Sequence, residues 1–108
     1  PLWLAPVQAK ILTITDRADS AANELRGKLE AAGLRAELDL RNEKIGFKVR
    51  EAQAMKIPYM LVIGDREAEE GTISVRTRKG NTVNGVTHEQ LLETLLKENG
   101  TLSLEQSW

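Results

Sequence analysis

The sequence predicts one α/β domain, in which a five-stranded mixed sheet lies between layers of helices. Two observations predict this class. Over residues 7–63, apolar runs typical of buried strands alternate with segments of helical periodicity, the order βαβαβ of a parallel sheet. A hairpin pattern and a last helical pattern follow, which extends the order to βαβαβββα with three helices. At 108 residues, the chain is long enough for a single hydrophobic core.

The first strand is expected at residues 7–14, where β-branched and apolar residues form a nearly continuous run. Thr15 and Asp16 are candidate caps of the first helix. Gly33 stands where a helix often ends in a left-handed residue. Apolar residues recur between them at helical spacing: Ala18, Ala21, Ala22, Leu25, Leu29 and Ala32.

A second strand and a second helix are expected next. Apolar and charged residues alternate over 34–40, the pattern of a strand with one wet face. Asn42 is a candidate N-cap, and Pro58 prevents the helix from continuing. The apolar run 59–63 indicates a central, buried strand. The second helix has a predicted buried stripe of Ile45, Val49, Ala52 and Met55.

The last third of the chain predicts an acidic loop at 66–71 and a hairpin of strands at 72–78 and 82–86. Thr87 and Gln90 match a capping box, which begins the last helix. Because the chain begins with proline rather than methionine, we interpret residues 1–6 as the remnant of a linker. The domain itself is expected at residues 7–98, and residues 99–108 as a C-terminal tail.

Composition argues against catalysis by this chain. It has no cysteine, which excludes disulfides, thiolate catalysis and cysteine-ligated metals and is compatible with a cytoplasmic setting. The only histidine, His88, falls in the first turn of a helix without a positioned partner. No glycine loop follows the first strand to hold a phosphate. The acidic run at 67–70 is typical of a solvated loop, so no metal site is predicted, and no apolar run approaches the roughly 20 residues of a membrane span.

The charges are unevenly distributed although the net charge is only −1. Residues 41–56 contain five basic and two acidic side chains, and residues 72–86 contain basic side chains without any acid. Lys44 and Lys48 are one helical turn apart, and Arg76 and Arg78 project from one side of a strand. These residues could frame one positive surface, or they could be scattered solvated charges.

The residue types that accompany the charges favour recognition of RNA bases. The Asn42 amide both donates and accepts, Glu67 can accept from the Watson–Crick edge of guanine, and an arginine can pair with base acceptors. Phe47 and Tyr59 are the only internal aromatic residues, so an aromatic stacking platform is not predicted. Recognition would then rest on hydrogen bonds to unstacked loop bases.

Four segments carry a resemblance to a known family: WLAPVQ at 3–8, DLRNEKIGFKVRE at 39–51, PYMLVIGD at 58–65 and VRTRKG at 75–80. Together they resemble the C-terminal anticodon-binding domain of bacterial threonyl-tRNA synthetases, which are class II enzymes. The resemblance spans residues 3–97. It implies a five-stranded mixed sheet flanked by three helices, without an active site in this domain.

The resemblance also implies which residues bind RNA. This family reads the G and U of the threonine anticodon, with Glu67 and Arg76 expected on the guanine. Lys56 stands where the family has an arginine, and a lysine lacks the bidentate fork. The expected anticodon-binding residues are Asn42, Lys44, Glu67 and Arg76, and the possible backbone contacts are Arg41, Lys48, Lys56 and Arg78.

The partners implied by the resemblance are the tRNA anticodon loop and the catalytic domain of a parent synthetase, without a membrane or DNA. The parent would be an ATP-dependent threonine-tRNA ligase that uses ATP, magnesium and zinc outside this domain, in the cytoplasm. Three alternatives are open: a protein-interaction or dimerisation module, a small-ligand domain with a phosphate at the second helix, and an engineered chain that keeps the fold without RNA binding.

Overall fold

The computed structural model describes residues 6–77 and 80–100, apart from the side chains of residues 99 and 100. Within these residues the chain forms five strands and four helices, with a 3₁₀ turn at Asp16–Ala18. The strands are β1 (Ala9–Thr13), β2 (Ala36–Asp39), β3 (Tyr59–Ile63), β4 (Thr72–Thr77) and β5 (Thr82–Thr87). The helices are α1 (Asp19–Ala31), α2 (Ile45–Ala54), α3 (Asp65–Glu70) and α4 (His88–Gly100).

The strands form one mixed sheet in the order β2-β1-β3-β4-β5. β2, β1 and β3 are parallel, whereas β4 and β5 pair antiparallel. The predicted fold class is thereby confirmed, with one difference. The segment expected to be an acidic loop forms the short helix α3, which has Asp65 and Glu67 in its first turn and ends at Gly71 with φ of 71°. Acidic residues stabilise the first turn of a helix through its dipole, and a left-handed glycine stops it.

Helices cover the two faces of the sheet unequally. Because side chains alternate along a strand, β1 and β3 point Ile11 and Leu61 towards one face, and Leu12 and Met60 towards the other. The first face packs against residues of α1 and α4, and the second against residues of α2. On the α2 side, β4 presents Arg76 to solvent. The sheet therefore has an open area beside α2.

Among the described residues, the predicted stop of the first helix at Gly33 is present, with φ of 86°, but only one of the predicted N-caps is. Thr87 and Gln90 form the expected capping box, in which each residue's backbone N–H donates to the other's side-chain oxygen at 3.1 Å. The prediction that Asn42 caps α2 is wrong, because the N-cap is Lys44 in an extended conformation. The predicted caps at Thr15 and Asp16 are also absent. The Thr15 hydroxyl instead donates to the carboxylate of Asp65, fifty residues away in the sequence.

Two further expectations concern the ends of elements. Met55, expected in the buried stripe of α2, is 54% exposed because the helix ends at Ala54. The linker at 1–6 and the tail at 99–108 lie largely outside the described residues and stay predictions, although α4 itself extends to Gly100.

Lys56 follows α2 in a left-handed conformation, with φ of 59°. Its N–H donates to Gln53 O at 3.0 Å, and Ile57 N–H donates to Ala52 O at 3.2 Å, the hydrogen bonds of a helix stop that usually contains glycine. We expect Lys56→Gly to raise the free energy of unfolding by about 0.5 to 1 kcal/mol, because glycine adopts this conformation without steric cost. Urea unfolding measures the change. The matched control Gln53→Gly, inside the helix, should lower it by about 1 kcal/mol; stabilisation by both changes would contradict the argument.

Candidate nucleic-acid interface

The candidate interface begins at the carboxyl edge of the parallel strands, where open α/β sheets commonly bind ligands. The segment after β1 pairs with the end of β3, since Ile14 N–H donates to Ile63 O at 3.0 Å. Residues 40–44 follow β2 on one side of this point, and α3 follows β3 on the other. A groove of 420 Å³ lies between the ends of β1 and β2, and it is lined by Thr13, Ile14, Thr15, Asp16, Leu40, Arg41, Asn42 and Glu43.

An ion-pair network fixes residues 40–44. Arg41 donates to both oxygens of Asp39, at 2.9 and 2.7 Å, and also to Glu51 at 2.6 Å. Hydrogen bonding by Arg41 holds the pKa of the buried Asp39 carboxyl below its usual range, although burial opposes this. The same bonds raise the pKa of Arg41. Arg41 is thus engaged within the protein, while Asn42 and Lys44 are exposed beside it.

Lys48 is placed differently from its prediction. Its side chain is 1% exposed, and Nζ donates to the backbone carbonyls of Thr13 at 2.8 Å and Asp39 at 3.0 Å. Desolvation lowers the pKa of Lys48. The prediction that Lys48 lies on an exposed face with Lys44 and contacts a phosphate is wrong, because the buried ammonium group donates to backbone carbonyls at the ends of β1 and β2.

Glu67 lies in the first turn of α3, folded back over Gly64. A Cβ at Gly64 would stand 3.0 Å from Ile14 Cδ1 and 3.3 Å from Glu67 Oε2, so glycine leaves room for this approach. Asp65 anchors the helix through the Thr15 hydroxyl and through Arg17 at 3.5 Å. Glu67 opens onto a groove of 340 Å³ whose lining residues are Arg66, Glu67, Glu70, Thr72, Ser74, Asn84 and Gly85.

Arg76 lies on the same side of β4 as Ser74, two residues along the strand and about 7 Å further on. It pairs in register with Met60, whose side chain faces α2. Ser74, which lines the Glu67 groove, and Arg76 therefore lie on the same side of β4. The sequence did not single out Ser74, Thr72 or Asn84, because their significance depends on the pairing of strands rather than on residue type.

The remaining predicted contacts are Lys56 and Arg78, and Phe47 is an exposed aromatic residue near the interface. Lys56 follows the far end of α2, a helix of ten residues and about 15 Å, whereas Lys44 precedes its other end. The structure does not bring Lys56 to the carboxyl edge. Arg78 lies outside the described residues. Phe47 is 41% exposed in the first turn of α2, and the Arg41 guanidinium lies 5.7 Å from its ring centroid, which is a cation–π distance.

His88 lies away from this interface. It begins α4 on the opposite face, with Nδ1 at 3.1 Å from Lys28 Nζ of α1. Burial and the nearby Lys28 lower the pKa of His88. Among residues 6–77 and 80–100, no group of three or more His, Cys, Asp or Glu is arranged to hold a metal ion.

A family model described as "Anticodon binding domain" matches residues 4–98. The chain belongs to this family. The anticodon-binding domain is 54% identical over 98 residues to a threonine-tRNA ligase of Syntrophomonas wolfei, which confirms the resemblance predicted from the sequence. The match covers 91% of this chain and 15% of that ligase, so the chain spans a minor part of its relative.

Solved structures show the same architecture. The RNA binding domain of threonyl-tRNA synthetase from Cryptosporidium parvum matches 99% of the chain with a TM-score of 0.85 and 28% identity, and the chain covers 26% of it. A prolyl-tRNA synthetase of the same organism matches 94% of the chain with a TM-score of 0.82 and 23% identity, and the chain covers 22% of it. The likeness to the prolyl-tRNA synthetase shows the fold alone. Within the described residues, no helix has the length and apolar character to cross a membrane.

Proposed function

We propose that this anticodon-binding domain holds the anticodon loop of threonine tRNA and reads its G and U by side-chain hydrogen bonds. The observation that carries the proposal is the common side of β4 onto which Arg76 and the Glu67 groove open. A carboxylate and a guanidinium complement the donors and acceptors of guanine, since Glu67 accepts from N1–H and the 2-amino group while Arg76 donates to O6 and N7.

Residues 40–44 supply the second part of the proposed site. Asn42 is exposed and follows residues that Arg41 and Lys48 hold in place, so the backbone that carries its amide is positioned for a pairing with uracil. Lys44 beside it neutralises a phosphate of the loop. This arrangement separates base reading from attraction of the RNA backbone, because the exposed Asn42 amide and the half-buried Glu67 carboxylate discriminate between bases and the lysine does not.

The wider assignments belong to the same proposal. The parent protein is a threonine-tRNA ligase, and its catalytic domain, with ATP, magnesium and zinc, is the second partner of this chain. A cytoplasmic location also stays a prediction. The chain here contributes selective binding, and the chemistry of aminoacylation occurs elsewhere in the parent.

Titration with anticodon stem-loops tests this function. The chain should bind a loop carrying GU more tightly than one with swapped bases, and Glu67→Gln or Arg76→Ala should each weaken GU binding about 5- to 150-fold, the range of one bidentate base contact. Arg26→Ala, an exposed arginine of α1 on the opposite face, serves as the control. If the wild-type chain does not distinguish the two loops, the proposal fails and the interaction-module alternative is favoured.

A further inference from the structure

The pairing of β4 with β5 contains a bulge next to the Glu67 groove. Ile73 pairs with Val86 and Val75 pairs with Val83, so Ser74 alone opposes both Asn84 and Gly85. Gly85 has φ of 69°, the left-handed conformation that a glycine bulge requires. An extra residue on one strand bends it and changes the direction of its side chains, and bulges are frequent beside functional sites.

The bulge has a specific consequence for Asn84. Because Val83 and Val86 are three residues apart, only the extra residue lets both contribute to the core on the α1 side. Asn84 is left on the exposed side, across from Ser74. The Ser74 hydroxyl donates to Asn84 Oδ1, which orients the amide and keeps its nitrogen available as a donor.

Asn84 and Glu67 line the same groove, which at 340 Å³ is within the size range of small-ligand clefts. If Glu67 takes the donors of guanine and Arg76 takes O6 and N7, the acceptors of the guanosine that are left lie on its third edge. These are base N3 and the ribose 2′-hydroxyl, which are neighbours. An oriented amide N–H on a second wall of the groove is a suitable donor for that edge.

We propose that Asn84 is a further specificity-determining residue of this domain, whose amide, oriented by Ser74, donates to a sugar-edge acceptor of the guanosine that Glu67 binds. The inference rests on the proposed function and adds a contact to it. Ser74 is a positioning residue, since it acts through Asn84. The bulge places Asn84 opposite Ser74, because two residues of β5, Asn84 and Gly85, lie across from Ser74 where a regular ladder has one.

A binding cycle with modified stem-loops tests the contact. The wild-type chain and Asn84→Ala are titrated with GU loops containing guanosine, 3-deazaguanosine or 2′-deoxyguanosine at the G. We expect Asn84→Ala to bind the guanosine loop about 3- to 10-fold more weakly, the effect of one neutral hydrogen bond. One of the two modified loops should bind the wild-type chain more weakly than the guanosine loop does, by a similar factor. The Asn84→Ala variant should bind that modified loop and the guanosine loop with equal affinity. Which modified loop behaves so identifies N3 or the 2′-hydroxyl as the acceptor.

Two other variants separate orientation from general structure. Ser74→Ala should weaken binding in the same direction by about 2- to 3-fold, and Ser74→Thr, which keeps the hydroxyl, should restore it. Asn23→Ala on the far face, an exposed asparagine of α1, should bind as the wild type does. Urea midpoints are measured for every variant, so that loss of binding is compared among equally folded proteins.

The outcomes distinguish this inference from the proposed function. If the wild-type chain does not prefer GU over swapped bases, both are overturned. If the wild type is selective and Asn84→Ala binds equally well, only the Asn84 contact is overturned. It is also overturned if each modification weakens binding by the same factor in Asn84→Ala as in the wild type, because Asn84 would then affect binding without contacting the guanosine.

Discussion

Replacing Lys48 with alanine is expected to lower the free energy of unfolding by about 3 kcal/mol, the largest effect we predict for one side chain of the interface. Two effects oppose each other. Desolvation makes the buried ammonium costly, as its lowered pKa indicates, so removing the charge recovers part of that cost. Removal also takes a donor from two buried carbonyls, of Thr13 and Asp39, and leaves a cavity. The second effect is larger because both carbonyls and the cavity contribute.

Urea unfolding of Lys48→Ala and Lys48→Met separates these contributions. Methionine fills most of the volume, so Lys48→Met should cost about 2 kcal/mol, which is mainly the lost hydrogen bonds. Both variants should also bind GU loops with reduced base preference, because the carbonyls of Thr13 and Asp39 at the ends of β1 and β2 lose the hydrogen bonds from Lys48. The salt dependence of binding should change little, since Nζ is not available to a phosphate. A reduced salt slope with unchanged stability would contradict the burial of Lys48.

Replacing Asp39 with alanine is expected to lower the free energy of unfolding by about 2 kcal/mol at pH 7. The carboxylate is 3% exposed and accepts hydrogen bonds from the Arg41 backbone N–H at 3.2 Å and from its guanidinium at 2.9 and 2.7 Å. Arg41 is about half exposed and regains water when its partner is lost, which limits the cost. Arg41→Lys, which keeps the charge without the bidentate fork, should have a smaller effect of the same sign.

The contribution of Asp39 depends on pH with a definite sign. Its pKa in the folded chain is lower than in the unfolded chain, so the unfolded state binds more protons as the solution becomes acidic. The stabilisation is therefore complete above the ordinary aspartate pKa of about 3.9 and is lost as the pH falls through the lower, folded value. Urea unfolding between neutral and acidic pH should give converging stabilities for the wild type and Asp39→Ala. A constant difference across this range would contradict the assignment.

Much of the fold was predictable because its signals are local. Strand and helix periodicity, the proline at 58 and the Thr87–Gln90 capping box act within one segment, and each predicted the correct element. α3 was missed although its acidic first turn and its stop at Gly71 are local, since the same residues are also typical of a solvated loop and the docking of Asp65 against Thr15 exists only in the fold. The bulge at Asn84 and Gly85 was also missed, because a bulge exists only in the pairing of two strands.

The candidate site shows the same division. Glu67 and Arg76 come from different elements, and residue type together with the resemblance to a family predicted both from the sequence. Arg41 and Lys48 both carry cationic side chains, yet Arg41 is engaged by Asp39 and Glu51 and Lys48 is buried. Residue type does not distinguish an exposed cation from one that satisfies backbone carbonyls.

By itself, the sequence determined the class of this domain, the order of its elements and its family, since periodicity, stop residues and motifs are properties of short segments. Which charges face solvent and which side chains share a groove depends on contacts between distant segments. The physical reason is that burial and hydrogen bonding join segments far apart in the chain, as when Lys48 reaches Thr13 across 35 residues. The energies of such contacts depend on neighbours that no single segment contains.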